Sequence, residues 1–248
     1  MTRTHRFALA AAAALSPLAL PAQQNFDSVK VTTTKLATGV YMLVGSGGNI
    51  GLAAGADATF LIDDQFAPLT PKIKAAIAAV TDKPVKFVLN THWHGDHTGG
   101  NKDMGDAGAL IIAHDNVRKR MSSVQVNDFF KSSTPASPPG ALPIVTFSDQ
   151  VTFYLNGDTI HAIHVNPAHT DGDAVIHFVH ANVLHMGDTY FNGRYPFVDA
   201  SSGGSLDGYV AVADMALALV NDQTKIIPGH GPLSNKAELK VYRDMLAT

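Results

Sequence analysis

Residues 91–100 read Thr-His-Trp-His-Gly-Asp-His-Thr-Gly-Gly, which places four side chains of metal-ligand type, His92, His94, Asp96 and His97, within six positions. Two histidines two apart at a strand end project the same way and can share one cation. Asp96 and His97, turned aside by Gly95, can reach a second cation beside the first. A solvated polar turn is the alternative, but three histidines and an aspartate rarely gather this way without a metal. The chain has 12 His and no Cys, so any metal must be held by nitrogen and oxygen. Disulfides, thiol nucleophiles and iron–sulfur clusters are excluded on the same count.

Three more candidates follow at strand ends: His169 in Pro-Ala-His-Thr-Asp, Asp188 in Met-Gly-Asp-Thr, and His230 in Pro-Gly-His-Gly. Each lies in a Gly- or Pro-bordered stretch, as loops shaped around a site often do. Together they complete two shells: His92, His94 and His169 on one ion, Asp96, His97 and His230 on the other, with Asp188 bridging. Two adjacent dications lower the pKa of a shared water enough to supply hydroxide at neutral pH, and either can polarise a carbonyl. Hydrolysis then needs no protein nucleophile. Asp96 is the expected catalytic residue, binding the second ion and orienting the hydroxide. Zinc, two ions per chain, is the expected cofactor, and the same ligands would accept iron or manganese.

The elements that must position these residues are legible in the hydropathy. Val85–Leu89, Val151–Leu155 and 174–179 alternate as half-buried strands, and Asn156-Gly157 is a hairpin turn. Ile73, Ala76, Ile77 and Val80 recur at helical spacing, and 206–221 carries a long apolar stripe. A last helix starts near Asn235, where Glu238 can complete a capping box. Strands and helices alternate in two similar halves, which suits two facing sheets with helices outside. The Ser- and Pro-rich stretch 122–143 reads as a long surface loop.

Composition narrows the partners. The chain has 248 residues, a net charge of −3, 46% apolar and 16% charged residues, an ordinary globular balance that excludes a disordered tail protein. It has no cationic excess to neutralise phosphates, so a small-molecule substrate is expected and nucleic acid is not. Residues 1–22 have a basic start at Arg3 and Arg6, an apolar run from Phe7 to Leu20 and a small residue at Ala22, the pattern of an export signal. The run is shorter than the ~20 residues that cross a bilayer. A periplasmic or secreted protein, free of the membrane after cleavage, with one domain over 23–248, is therefore expected. The oligomeric state is left open.

The His-x-His-x-Asp-His motif, followed in order by a lone His, a lone Asp and a lone His, resembles the metallo-β-lactamase-fold hydrolase superfamily over essentially all of residues 23–248. The resemblance implies an α/β fold, a four-layer αββα sandwich with two metals between the sheet ends, and the chemistry of a zinc-dependent hydrolase. Exported β-lactamases are similar over 168–178 and 184–230, and opening of a β-lactam ring is the expected reaction. A lactonase or small esterase or thioesterase is the alternative, and an iron-dependent redox enzyme with the same ligands a further one.

Departures from the two-zinc β-lactamases matter. They have Cys where this chain has Asp188, a non-His residue where it has His97, and a substrate-carboxylate Lys where it has Phe191. Arg194 is the nearest cation that could substitute as a substrate-binding residue, and Tyr190 or Tyr195 could donate to substrate. The loop 45–51, with four Gly in seven residues, replaces their closing flap and is expected to be mobile. Asp63 and Asp64 end a strand whose acid, in this superfamily, commonly supports the metal ligands. His161, His164, His177, His180 and His185 are expected to be structural or solvated, and His114 to cap the helix beginning at Asp115.

Overall fold

The computed structural model describes residues 25–248, so the expected export segment 1–22 lies outside the described residues. Alternating apolar runs in the first half form β1 (Thr32–Ala37), β2 (Val40–Val44), β3 (Ile50–Ala54), β4 (Thr59–Ile62), β5 (Val85–Leu89) and β6 (Leu110–His114). A short hairpin of β7 (Gln125–Asn127) and β8 (Ser132–Thr134) follows, and β9 (Val145–Phe147) returns to complete a seven-stranded sheet in the order β1-β2-β3-β4-β5-β6-β9. The second sheet is β10 (Gln150–Leu155), β11 (Asp158–His164), β12 (Ala174–Phe178), β13 (Val183–His185) and β14 (Lys225–Ile227), in chain order. In each sheet the early strands pair antiparallel; β4, β5, β6 and β9, and likewise β13 and β14, pair parallel.

The helices are α1 (Thr70–Ala78), α2 (Gly95–Thr98), α3 (Asn101–Asp106), α4 (Asp115–Met121), α5 (Leu206–Leu219) and α6 (Lys236–Leu246). β4 is buried at all four positions because both of its faces are covered. Phe60 and Ile62 join Ile160, Ile176 and Phe178 of the other sheet in the central core. Leu61 packs outward with Ile73 and Ile77 of α1. On the far side Tyr209, Val212, Ala213 and Ala216 of α5 and Leu239 and Tyr242 of α6 cover Val175, Leu184 and Ile226. This is the expected αββα layering, and each fully buried Leu, Ile or Phe in it stabilises the fold by roughly 1.5–3 kcal/mol. Among the described residues no helix is long and apolar enough to cross a membrane.

Local signals mostly hold. His114 accepts from the Asn116 N–H at the start of α4, and Asn235 from the Glu238 N–H at the start of α6. The capping box is half made, because the Glu238 carboxylate accepts from Ser234 and Asn192 instead of reaching back. The stretch 122–143 is not a plain loop: it contains the β7–β8 hairpin.

Asn156 and Gly157 turn β10 into β11 with positive φ values of 57° and 74°, the geometry of a tight hairpin turn. The Asn156 side chain also reaches the other sheet: its Oδ1 accepts from the Asp57 and Ala58 N–H groups, and its Nδ2 donates to the Ala58 carbonyl. It thus fastens the two sheets together at the turn between β3 and β4. Asn156→Ala should lower unfolding free energy by about 1–3 kcal/mol, and Asn156→Gly, which keeps the backbone but not the bonds, by less. Urea unfolding checks this, and unchanged midpoints would show that the fastening contributes nothing.

Candidate metal centre

All seven expected ligands converge at one edge of the sandwich. His92 and His94 lie past the end of β5 in the loop before α2, Asp96 and His97 on α2, and His169 between β11 and β12; Asp188 follows β13 and His230 follows β14. Three groups have ligand atoms within 4.8 Å of one another: His92, His94 and His169; His92, His97 and Asp188; Asp96, His97 and His230. Asp188 lies between the shells, with Oδ1 3.0 Å from His97 Nε2 and Oδ2 3.5 Å from His169 Nε2 and 3.3 Å from His230 Nε2.

Hydrogen bonds on the outer side of each ring fix which nitrogen faces inward. His169 Nδ1–H donates to the Phe197 carbonyl, and His94 Nε2–H to Asp199 Oδ2 at 2.9 Å. Thr91 Oγ1 gives its own proton to Asp63 Oδ2, so it accepts from His92 Nδ1–H. The inward atoms are therefore lone pairs. His94 Nδ1 and His169 Nε2 face each other at 2.8 Å, and His92 Nε2 is buried with no partner. Asp188 Oδ1 is likewise buried without an aligned donor. Lone pairs at this distance repel unless a cation lies between them, so the donor set fits a metal and is not a self-sufficient hydrogen-bond network.

The electrostatics agree. Burial pushes the His92 imidazole well below its ordinary value and His169 down to about 4, which keeps both rings neutral as ligands must be. At His97 burial acts the same way but is outweighed by the carboxylates of Asp188, Asp96 and Asp63, which hold the ring well above the usual histidine range. His230 is raised to about 9, again against burial, by Asp188 and Asp96. Asp188 is held well below the carboxylate range despite burial, by His97 and His169 first.

Asp63 supports both shells. It is fully buried, sits at φ 62°, and its Oδ2 accepts from Thr91 Oγ1 and from His97 Nδ1 at 2.7 Å each. It orients His97 directly and His92 through Thr91, the role expected of the acid ending this strand. Asp64 instead accepts from the Gly100 N–H.

The loop 45–51 differs from expectation. Gly48 donates to the Asp96 carbonyl and its own carbonyl accepts from Gln65, while Asn49 is bonded to Pro228, Gly229 and Gly231. His185 donates to the Asn49 carbonyl, a structural role as expected. A Cβ on Gly48 would lie 2.0 Å from the His97 ring. This glycine serves close approach, not mobility, and the loop is a wall of the site.

Other expected contacts separate. Arg194 lies outside the groove that holds Asp96 and His94, in an adjoining hollow with Asn49 and His230. Tyr190 cannot meet substrate: it is fully buried, with its hydroxyl on Ser234. Tyr195 is exposed and lines another depression, against α6. Phe191, which stands where the β-lactamase Lys would be, stacks on His230. Two features escaped the sequence reading, Asp199 behind His94 and the β7–β8 hairpin beside the groove.

The family model for the metallo-beta-lactamase superfamily matches residues 43–230, and the chain belongs to that superfamily. A hydroxyacylglutathione hydrolase from Polaromonas sp. is 28% identical over 178 residues, 71% of this chain and 60% of that one. The lactamase-like protein aptB of Emericella nidulans is 28% identical over 145 residues, 58% of this chain and 40% of that one. The matches span less than two thirds of either relative. Among solved structures, a metallo-beta-lactamase from Pontibacter korlensis superposes with a TM-score of 0.72 at 17% identity, over 88% of this chain and all of that one. The DIM-1 metallo-beta-lactamase gives 0.68 at 18%, over 88% and 98%. At these identities the likeness is one of fold.

Asp63→Ala should leave the far-ultraviolet dichroism intact and weaken zinc affinity by about 10–100-fold, because it releases the rings of His97 and His92. Competition with a chromophoric chelator measures this. Undiminished affinity would show that the ring orientations do not depend on Asp63.

Proposed function

We propose that the chain is a hydrolase working with two divalent metal ions, zinc first among them, and that it opens β-lactam rings and related carbonyl compounds. The observation that carries this reading is the inward convergence of the ring nitrogens of His92, His94 and His169, the first of them buried with no hydrogen-bond partner, beside the carboxylate of Asp188. His92, His94 and His169 would hold one ion, Asp96, His97 and His230 the other, with Asp188 between them. Bound there, the ions would supply an acidified water and polarise the carbonyl that it attacks.

The chain's own groups do the rest. Asp96 is 26% exposed at the groove, and its pKa is lowered, against burial, by His97 and His230. Its carboxylate can accept the proton of the attacking water and return it to the leaving nitrogen as the ring carbon–nitrogen bond breaks. Asp199 and Asp63 keep the histidine rings from turning. Arg194, in the hollow that shares His230 with the groove, is the group to which a substrate carboxylate would extend. The absence of a Lys at Phe191 leaves that carboxylate with little else, which supports weak binding of β-lactams.

A second reading, hydrolysis of lactones, esters or thioesters, is favoured by the groove itself: among its described lining residues there is no Lys or Arg. The names of relatives such as the hydroxyacylglutathione hydrolase and an atrochrysone carboxyl ACP thioesterase point the same way.

The test is steady-state hydrolysis by zinc-loaded protein of a penicillin, a cephalosporin and a carbapenem beside a lactone and a thioester. β-Lactam turnover is expected with KM at or above about 1 mM, raised further by Arg194→Ala, and with kcat reduced at least ~100-fold by Asp96→Asn. Turnover of the lactone or thioester with none of the three β-lactams would replace the first reading by the second.

A further inference from the structure

The β7–β8 hairpin exposes apolar side chains that its own fold does not need. Phe129 is 83% and Phe130 59% exposed at its tip, in edge contact with each other. Two strands alone are a marginal structure, yet this pair is anchored. At its base the Arg120 guanidinium donates to both oxygens of Asp171 and to Gln125 Oε1. Near its tip the Asp128 N–H donates to Ser201 Oγ. The anchoring holds the Phe130 ring 5.6 Å from that of Phe197, and Phe197 packs against the rings of His94 and His169. A continuous aromatic surface thus runs from the hairpin tip to the metal-type cluster.

The groove beneath it has a volume of about 370 Å³ and also meets Phe66 and Trp93. Its charged lining groups are Asp96, Asp188 and Asp199 with the histidines, and no Lys or Arg is among the described lining residues. An anionic substituent would meet acids there, whereas a neutral aromatic ring would find offset and edge-on partners. Exposed aromatic surface held next to a reactive cluster marks a binding wall.

Resting on the hydrolase reading above, we propose that the β7–β8 hairpin is a specificity wall. Phe130, braced by Phe129 and backed by Phe197, selects substrates whose carbonyl carries an uncharged aromatic substituent, as in a phenylacetyl group. The occupant is continuous with the reaction site, since the hollow lined by Phe130 is the one that holds Asp96 and His94. Ser132 on the hairpin lines the same hollow and offers a polar partner to an amide or ester linkage beside the ring, while the Asn127 amide is taken up by the Phe130 N–H and Asp199.

Trp93 is the only tryptophan in the chain and lines the groove, so its fluorescence reports occupancy without turnover. Zinc-loaded full-length protein is titrated with phenylacetamide and with acetamide, and KM is measured for benzylpenicillin and 6-aminopenicillanic acid. The phenylacetyl member of each pair should bind at least about tenfold tighter. Phe130→Ser should bring both ratios within about twofold of unity, Phe130→Leu should keep most of the preference, and Phe129→Ser should fall between. Both positions are exposed, and melting curves verify that the variants fold. Equal affinities in the wild type, or a preference that survives Phe130→Ser, would overturn the wall. So would a fluorescence change with protein concentration alone that Phe130→Ser abolishes, which would assign the face to a second copy of the chain. Preference in the binding assay with no turnover of any carbonyl substrate would overturn the hydrolase reading and leave the wall standing.

Discussion

Three imidazole nitrogens from His92, His94 and His169 point their lone pairs at one small volume, and no hydrogen bond among the described residues satisfies His92 Nε2. Holding them there costs free energy that a shared cation would offset, and the arrangement of this edge of the sandwich is built around that constraint. Each ring is gripped from behind by an acceptor: the Phe197 carbonyl, the Asp199 carboxylate, and Thr91 backed by Asp63. The carboxylate of Asp63 serves one histidine from each shell, which couples the orientation of the two. Since β4 and β5 run parallel, the loops after them open on the same edge, and Asp63 and Thr91 can meet.

The candidate ligands were legible because metal chemistry restricts residue types and because four of the seven crowd into six positions. Layering was legible too, since strands of period two and helices of period 3.6 leave different traces in hydropathy. The supporting contacts were not. Asp199 lies 105 residues from His94, in a stretch whose composition marks only a turn. A Gly-rich loop is ambiguous in sequence because glycine serves two opposite purposes, freedom of the backbone and close approach to a neighbour. Only the position of the His97 ring against Gly48 tells which applies. The hairpin was hidden by the Ser and Pro around it, although Phe129-Phe130 in so polar a stretch was the one available signal.

These features divide the candidate site into a buried cluster of metal-ligand-type groups and a more exposed groove beside it. The ligand cluster depends on buried, mutually oriented groups and tolerates little change. The groove depends on partly exposed side chains of the hairpin and on the hollow of Arg194, which can vary without disturbing the sandwich. The stacking of Phe191 on His230 shows where the two meet, since one ring lines the groove and the other belongs to the candidate ligand set.

Metal content measured by elemental analysis after dialysis, on wild type and Asp188→Ala, bears on the central claim most directly. Two equivalents of zinc per wild-type chain, and a loss of occupancy confined to one equivalent in Asp188→Ala, are expected from a bridging carboxylate between two complete shells. One equivalent or fewer in the wild type with zinc supplied, or a variant that retains both ions, would contradict the account.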